Sequence, residues 1–122
     1  MCKPNWRSFL PLLLLVSCTS SLPKIEGVDL DAWQDDKNGC KGRRLQMIDS
    51  LIAQKAEVLA LSELEIVELL GRPDQNELYT RNQKFYFYFL TPSSNCDAPA
   101  EKPQRLMIRF NAVGLAQEIL VD

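Results

Sequence analysis

The cysteines are the residues of this chain that could take part in the most kinds of chemistry, such as metal binding and thiol redox reactions. Four cysteines are present, and the sequence contains no histidine. A structural zinc ion needs four Cys, His or carboxylate ligands, and redox-active cysteine pairs are typically spaced Cys-x-x-Cys. The spacing of Cys2, Cys18, Cys40 and Cys96 fits neither arrangement. We therefore expect no metal site and no cofactor.

Residues for enzymatic catalysis are also scarce. Without histidine, the chain lacks the commonest general base and the Ser–His and Cys–His nucleophile pairs. Gly71 and Gly114 stand alone, so no phosphate-binding glycine loop is present. The carboxylates of Glu63, Glu65 and Glu68 fit the start and solvated face of a helix. The sequence therefore predicts a protein that is not an enzyme.

An apolar run at residues 9–16 precedes Cys18. As a helix it would measure about 12 Å, against about 30 Å for the hydrocarbon core of a bilayer. Lys3 and Arg7 lie before the run and Ser17 follows it, which is typical of a cleaved signal peptide.

The residues Leu15-Val16-Ser17-Cys18 resemble the lipobox of bacterial lipoproteins, in which cleavage precedes the cysteine and that cysteine carries the lipid. The resemblance implies lipidation of Cys18, with a lipoprotein signal peptide at residues 1–17. We assign residues 18–32 to a lipidated tether and residues 33–122 to the folded domain. The alternatives are a plain secretory signal followed by a chance cysteine, or a core helix.

Export would place the two remaining cysteines in an oxidising compartment. Unpaired thiols there usually join, so we predict a Cys40–Cys96 disulfide. Closing a loop of this length stabilises the fold by about 4 kcal/mol in the chain-entropy estimate.

Charge argues against a nucleic-acid partner. Loss of residues 1–17 removes Lys3 and Arg7 but no acidic residue, so the net charge falls from −2 to −4. A mildly acidic chain without a basic cluster is a poor ligand for phosphates. The remaining 105 residues suit one small domain, attached to the membrane through the lipid on Cys18.

Two helices are predicted in the first half of the domain. Residues 41–56 place apolar side chains three and four positions apart, with Arg43, Arg44, Asp49 and Gln54 on the polar face. Ser62 and Glu65 form a capping box that begins a second helix. Gly71 ends that helix, and Pro73 prevents its continuation.

The period then changes to that of strands. Four segments either alternate between apolar and polar residues or are mainly apolar, and turn residues separate them. They are residues 77–80, 84–90, 105–110 and 115–121. In the second strand we assign Phe85, Phe87 and Phe89 to the helix side. Tyr86, Tyr88 and Leu90 then face solvent or a partner, because a tyrosine can bury its ring while its hydroxyl stays wet.

The predicted fold class is α+β, with two helices packed on one face of a three- to four-stranded antiparallel meander. Its exposed aromatic side provides the candidate partner-binding face, because tyrosine and methionine are enriched at interfaces. We place there Tyr79, Tyr86, Tyr88 and Met107. The alternative is ordinary sheet packing, or coverage by the loop of residues 91–104.

Three segments resemble the SmpA/OmlA (BamE-like) family of bacterial lipoproteins. They are the run LSELEIVELLGRPD at residues 61–74, the aromatic strand at 85–90, and LMIRFN…GLAQEILV at 106–121. The resemblance implies a two-helix, three-strand fold at the outer membrane, exposed to the periplasm, with exposure at the cell surface as the alternative. It also implies an accessory role in assembling outer-membrane proteins, with envelope proteins as partners. An inhibitor or small-ligand-binding module on the same fold is the alternative.

Overall fold

Helices precede strands along the chain, as the change of period predicts. The structure is a computed structural model, and it describes residues 22–122. The predicted signal peptide and Cys18 lie outside these residues. The α-helices are α1 Leu30–Asp35, α2 Arg43–Ala53, α3 Lys55–Val58 and α4 Glu63–Leu70, and the strands are β1 Gln75–Tyr79, β2 Gln83–Phe89, β3 Arg105–Phe110 and β4 Ala116–Val121.

The strands form one antiparallel sheet in the order β1-β2-β3-β4. Its inner face packs on the helices, and one hydrophobic core contains side chains from both layers, among them Ile66 and Leu69 of α4 and Ile108 and Phe110 of β3. The predicted α+β fold, with helices on one face of an antiparallel meander, is therefore confirmed.

Helix α4 begins and ends at the residues that the sequence indicated. The hydroxyl of Ser62 accepts a hydrogen bond from the Glu65 amide at 3.2 Å, and the Ser62 amide donates to the Glu65 carboxylate at 3.1 Å. Gly71 ends the helix with a positive φ of 81°, a conformation that only glycine adopts without strain. These local signals were sufficient to locate the helix, because the capping box and the terminating glycine both lie within residues 62–71.

The first predicted helix is shorter than expected. Helix α2 ends at Ala53, and Gln54 leaves helical geometry with φ −112° and ψ 23° before the single turn of α3. The side chain of Gln54 bonds back to the Ser50 carbonyl and across to the Glu26 carbonyl. The break thus ties the end of α2 to Glu26, in the segment that precedes α1.

The folded domain begins before Trp33, so the predicted boundary is wrong. Ile25 is 3% exposed and belongs to the core, and Leu22, Val28 and Leu30 pack against it. The Asp29 carboxylate caps α1 by accepting from the amides of Asp31 and Ala32. Residues 22–32 are therefore part of the domain rather than of a tether; residues 18–21 lie outside the described residues.

The two faces of β2 are the reverse of those predicted. Tyr86, Tyr88 and Leu90 lie in the core beneath the helices, and Phe85, Phe87 and Phe89 lie on the opposite face. The two tyrosines can be buried in this core because each hydroxyl donates a hydrogen bond within the protein. Tyr88 donates to the Gly71 carbonyl at 2.7 Å, and Tyr86 donates to the Glu63 carboxylate at 3.1 Å. A buried hydroxyl with an acceptor does not need water.

The predicted disulfide is confirmed. Cys40 and Cys96 are bonded, with their Cα atoms 5.5 Å apart. The bond joins the 3-10 turn Lys37–Gly39 to the loop of residues 91–104. Beside it, the Ser93 amide donates to the Asn38 carbonyl at 3.0 Å. Gly39 fits so closely that a Cβ atom would lie 2.6 Å from the Thr91 carbonyl oxygen.

Candidate interaction face of the sheet

Four aromatic side chains run along the face of the sheet opposite the helices, which we call the outer face. This aromatic strip consists of Tyr79, Phe85, Phe87 and Phe89. The Tyr79 and Phe85 rings meet edge-to-face at 4.8 Å between centroids, and the Phe85 and Phe87 rings stack at 6.2 Å. Phe87 and Phe89 are buried without belonging to the core between helices and sheet. The strip is thus a second apolar cluster.

Arg105 covers the middle of the aromatic strip. Its guanidinium carbon lies 3.9 Å from the centroid of the Phe87 ring, the geometry of a cation–π contact. The guanidinium is held there by the Asp122 carboxylate at 2.8 Å and by the Gln75 side-chain oxygen at 3.0 Å. Consequently Phe87 is only 3% exposed, whereas Tyr79 at the end of the strip is 53% exposed.

The structure separates the four residues predicted for a partner-binding face. Tyr79 and Met107 lie on the outer face, where Met107 is paired with Phe87 of the neighbouring strand. Tyr86 and Tyr88 are 7% and 0% exposed and lie on the inner face. Their assignment to a partner-binding face is therefore wrong, because both rings lie in the core and each hydroxyl has an acceptor within the protein.

None of Phe85, Phe87, Phe89 and Arg105 was predicted for the outer face, where the structure places them. A usable signal was present in β3, where Arg105, Met107 and Arg109 alternate with Leu106, Ile108 and Phe110. Two arginines fit the open face better than three apolar side chains do. The antiparallel register then places the phenylalanines of β2 beside those arginines.

All three tyrosines are held in the neutral form. Burial, reinforced by the hydrogen bond to Glu63, raises the pKa of Tyr86 to about 12. Burial likewise raises the pKa of Tyr88. The hydrogen bond to Glu77 raises the pKa of Tyr79. At neutral pH these phenols are hydrogen-bond donors rather than bases.

A cleft of about 710 Å³ lies at the end of the aromatic strip. Phe89 and Pro103 supply apolar surface, and Lys102, Arg105 and Asp122 supply charges. Its walls include residues of the loop that the Cys40–Cys96 disulfide fastens. The volume is in the range of small-molecule sites in proteins.

Arg44 is buried, which corrects its predicted place on a polar helix face. Its guanidinium bonds to the Asp74 carboxylate at 2.6 Å and to the Trp33 carbonyl at 2.8 Å. It also lies 5.4 and 5.5 Å from the ring centroids of Trp33 and Tyr88. These contacts join α1, α2 and β2, so the ion pair belongs to the framework beneath the sheet.

Within residues 22–122, no group of three or more His, Cys, Asp or Glu side chains is placed to hold a metal ion. Among the helices of the same region, none is both long and apolar enough to cross a membrane.

The comparisons with known proteins do not assign the chain to a family. No model of a known protein family matches it, and a search of curated proteins finds no relative.

Proposed function

We propose that this chain is a lipid-anchored, non-enzymatic protein of the bacterial envelope that binds other envelope proteins through the outer face. The observation that carries the proposal is the aromatic strip outside the core. Its Tyr79 end is half exposed, and aromatic residues are enriched at protein interfaces. The lipobox-like residues 15–18 support the anchor, and the SmpA/OmlA resemblance supports an outer-membrane location facing the periplasm. The same resemblance favours an accessory role in outer-membrane protein assembly.

Site-specific photo-crosslinking in the native host tests the binding face. A photoreactive phenylalanine derivative is placed at Tyr79, and at Val113 as the control. Both positions are well exposed, but Val113 lies in the turn between β3 and β4. Envelope proteins should crosslink through position 79 and not through position 113. If position 79 yields no envelope protein, or the two positions yield the same set, the proposed binding face is rejected.

The anchor has a separate test. Cys18→Ser should move the protein from the membrane fraction to the soluble fraction, because it removes the proposed attachment point of the lipid. Intact-mass measurement of the unsubstituted protein should show acyl chains on Cys18. An unlipidated protein, or a C18S variant that remains membrane-bound, contradicts lipid anchoring.

A small-ligand-binding module is the second candidate function, and the cleft beside Phe89 favours it. Native mass spectrometry of protein purified from its host should then detect a bound small molecule. Ser94 is an exposed residue in the wall of the cleft. Ser94→Trp should abolish binding of the small molecule because the larger side chain fills the cleft. Detection of the same ligand on the variant, or of no ligand on the unsubstituted protein, rejects this candidate.

A further inference from the structure

The half of the outer face formed by β3 and β4 carries its charges in two columns of opposite sign. Arg105 and Arg109 of β3 form the basic column, and Asp122 and Glu118 beside and within β4 form the acidic column. Each arginine is level with one carboxylate, at 2.8 Å for Arg105–Asp122 and 3.7 Å for Arg109–Glu118. The charges of this half therefore sum to zero.

Apolar residues separate the two charged levels. Met107 and Leu120 are paired across β3 and β4, midway between the two arginine–carboxylate rows. Leu120 is 38% exposed, and the side chains of Asp122 and Glu118 are 51% and 45% exposed. The carboxylates thus have room for further donors above the sheet.

This arrangement is self-complementary for one orientation of a second copy. A two-fold axis that lies above the sheet, parallel to the strands and midway between β3 and β4, places each β3 over the β4 of the other copy. Arg105 and Arg109 then lie above the carboxylates of the second copy, and Met107 lies above its Leu120. Sheets that pack face to face are about 10 Å apart, a distance that long arginine side chains can bridge.

Charge excludes the other simple orientation. An axis in the same plane but perpendicular to the strands places β3 over β3, which brings the basic columns of the two copies together and likewise the acidic columns. Like charges facing each other across an interface are unfavourable.

We propose that a second copy of this chain docks on the β3–β4 half of the outer face, through the two-fold axis parallel to the strands. The dimer leaves β1 and β2 uncovered on each copy, because β4 is the edge strand that overlies β3 of the other copy. Tyr79 and Phe85 therefore remain accessible. The association should weaken as salt is added, since part of it depends on exposed charges.

Charge exchange between separately purified variants tests the proposal. Sedimentation of the full-length chain in a density-matched non-ionic detergent should give a concentration-dependent dimer. R105E/R109E should be monomeric because carboxylates face carboxylates, and E118R/D122R should be monomeric because arginines face arginines. An equimolar mixture of the two variants should restore the dimer. In that mixture the arginine–carboxylate pairs within each chain remain broken, so only contacts between chains can explain the recovery.

Two measurements establish that each variant is folded: a circular dichroism spectrum like that of the unsubstituted chain, and the failure of a thiol reagent to label Cys40 and Cys96. The quadruple variant R105E/R109E/E118R/D122R restores the arginine–carboxylate pairs within each chain and between the two chains. It should therefore dimerise like the unsubstituted chain, and it tests the proposal if a double variant fails to fold. The proposal is overturned by a chain that stays monomeric up to about 1 mM. Dimers that persist in a folded double variant, or a mixture or quadruple variant that remains monomeric, also overturn it.

Discussion

The guanidinium of Arg44 and the carboxylate of Asp74 form an ion pair at 2.6 Å, with side chains only 1% and 5% exposed. Asp74 also accepts hydrogen bonds from the amides of Phe89 and Asn38 at 2.8 and 3.0 Å. One carboxylate thus neutralises a buried cation and fastens β2 and the disulfide-bonded turn. Removing either partner leaves the other charge buried without its counter-ion.

Asp74→Ala should be strongly destabilising. The loss of one partner from a buried ion pair costs about 3–5 kcal/mol, because the remaining charge is uncompensated. Urea unfolding followed by circular dichroism measures the change in the free energy of unfolding. The control is Asp35→Ala, which removes the carboxylate of the exposed Asp35–Lys41 pair. An exposed pair contributes little, so a D74A variant as stable as D35A would show that Asp74 does not have this role.

Tyr88→Ala and Tyr79→Ala test the corrected faces of the sheet with two substitutions of the same chemical type. Tyr88 is fully buried and packs against Trp33 at 6.2 Å between ring centroids. Its truncation should cost about 3–5 kcal/mol, as for other large core aromatics. Truncation of the half-exposed Tyr79 should cost less than about 1 kcal/mol. Equal losses in urea unfolding would contradict the inward orientation of Tyr88.

The sequence predicted elements whose causes are local and missed those that depend on distant partners. The Ser62–Glu65 capping box and Gly71 determine α4 within ten residues, and its position was correct. The alternation in β2 correctly gave two faces. It did not say which face is the core, because aromatic residues occupy both. The hydroxyl acceptors that decide the matter, Gly71 and Glu63, come from another element.

The buried position of Arg44 also could not be predicted from the sequence, because it depends on partners that are distant in sequence. An arginine in an amphipathic helix is usually exposed, and the neighbouring Arg43 is. Arg44 can be buried only because Asp74 and the Phe89 carbonyl, both far away in sequence, receive its N–H groups. The disulfide was predictable because only Cys40 and Cys96 remained once Cys2 was assigned to the predicted signal peptide and Cys18 to the predicted lipid anchor. The aromatic strip, by contrast, required the register of β2 on β3.

Reduction of the Cys40–Cys96 disulfide should lower stability without changing the fold class. The bond spans 56 residues of sequence, and loss of a cross-link of that length costs about 4 kcal/mol in the chain-entropy estimate. The midpoint of urea unfolding should fall to the same value in reduced protein and in C40S/C96S. Thiol labelling of unreduced, denatured protein should modify neither cysteine. Labelling there, or an unchanged midpoint after reduction, would exclude a stabilising bond.

Alkaline pH should weaken the fold through the two core tyrosines. An unfolded tyrosine has a pKa of about 10, whereas Tyr86 in the fold has a pKa of about 12 and the pKa of Tyr88 is also raised. As pH rises above the unfolded value, the unfolded chain loses these protons first. The stabilisation is therefore complete below pH 10 and is lost as the pH approaches and passes 12.

Tyr86→Phe isolates one of these ionisations. At neutral pH the variant should lose about 1 kcal/mol, since the hydrogen bond to Glu63 disappears. Between pH 10 and 12 its free energy of unfolding should decline less steeply than that of the unsubstituted protein, because one group with a raised pKa is gone. Urea unfolding at a series of pH values measures both effects, and ultraviolet titration should show the exposed Tyr79 ionising first. Parallel stability curves for the two proteins above pH 10 would mean that Tyr86 ionises in the fold as it does in the unfolded chain.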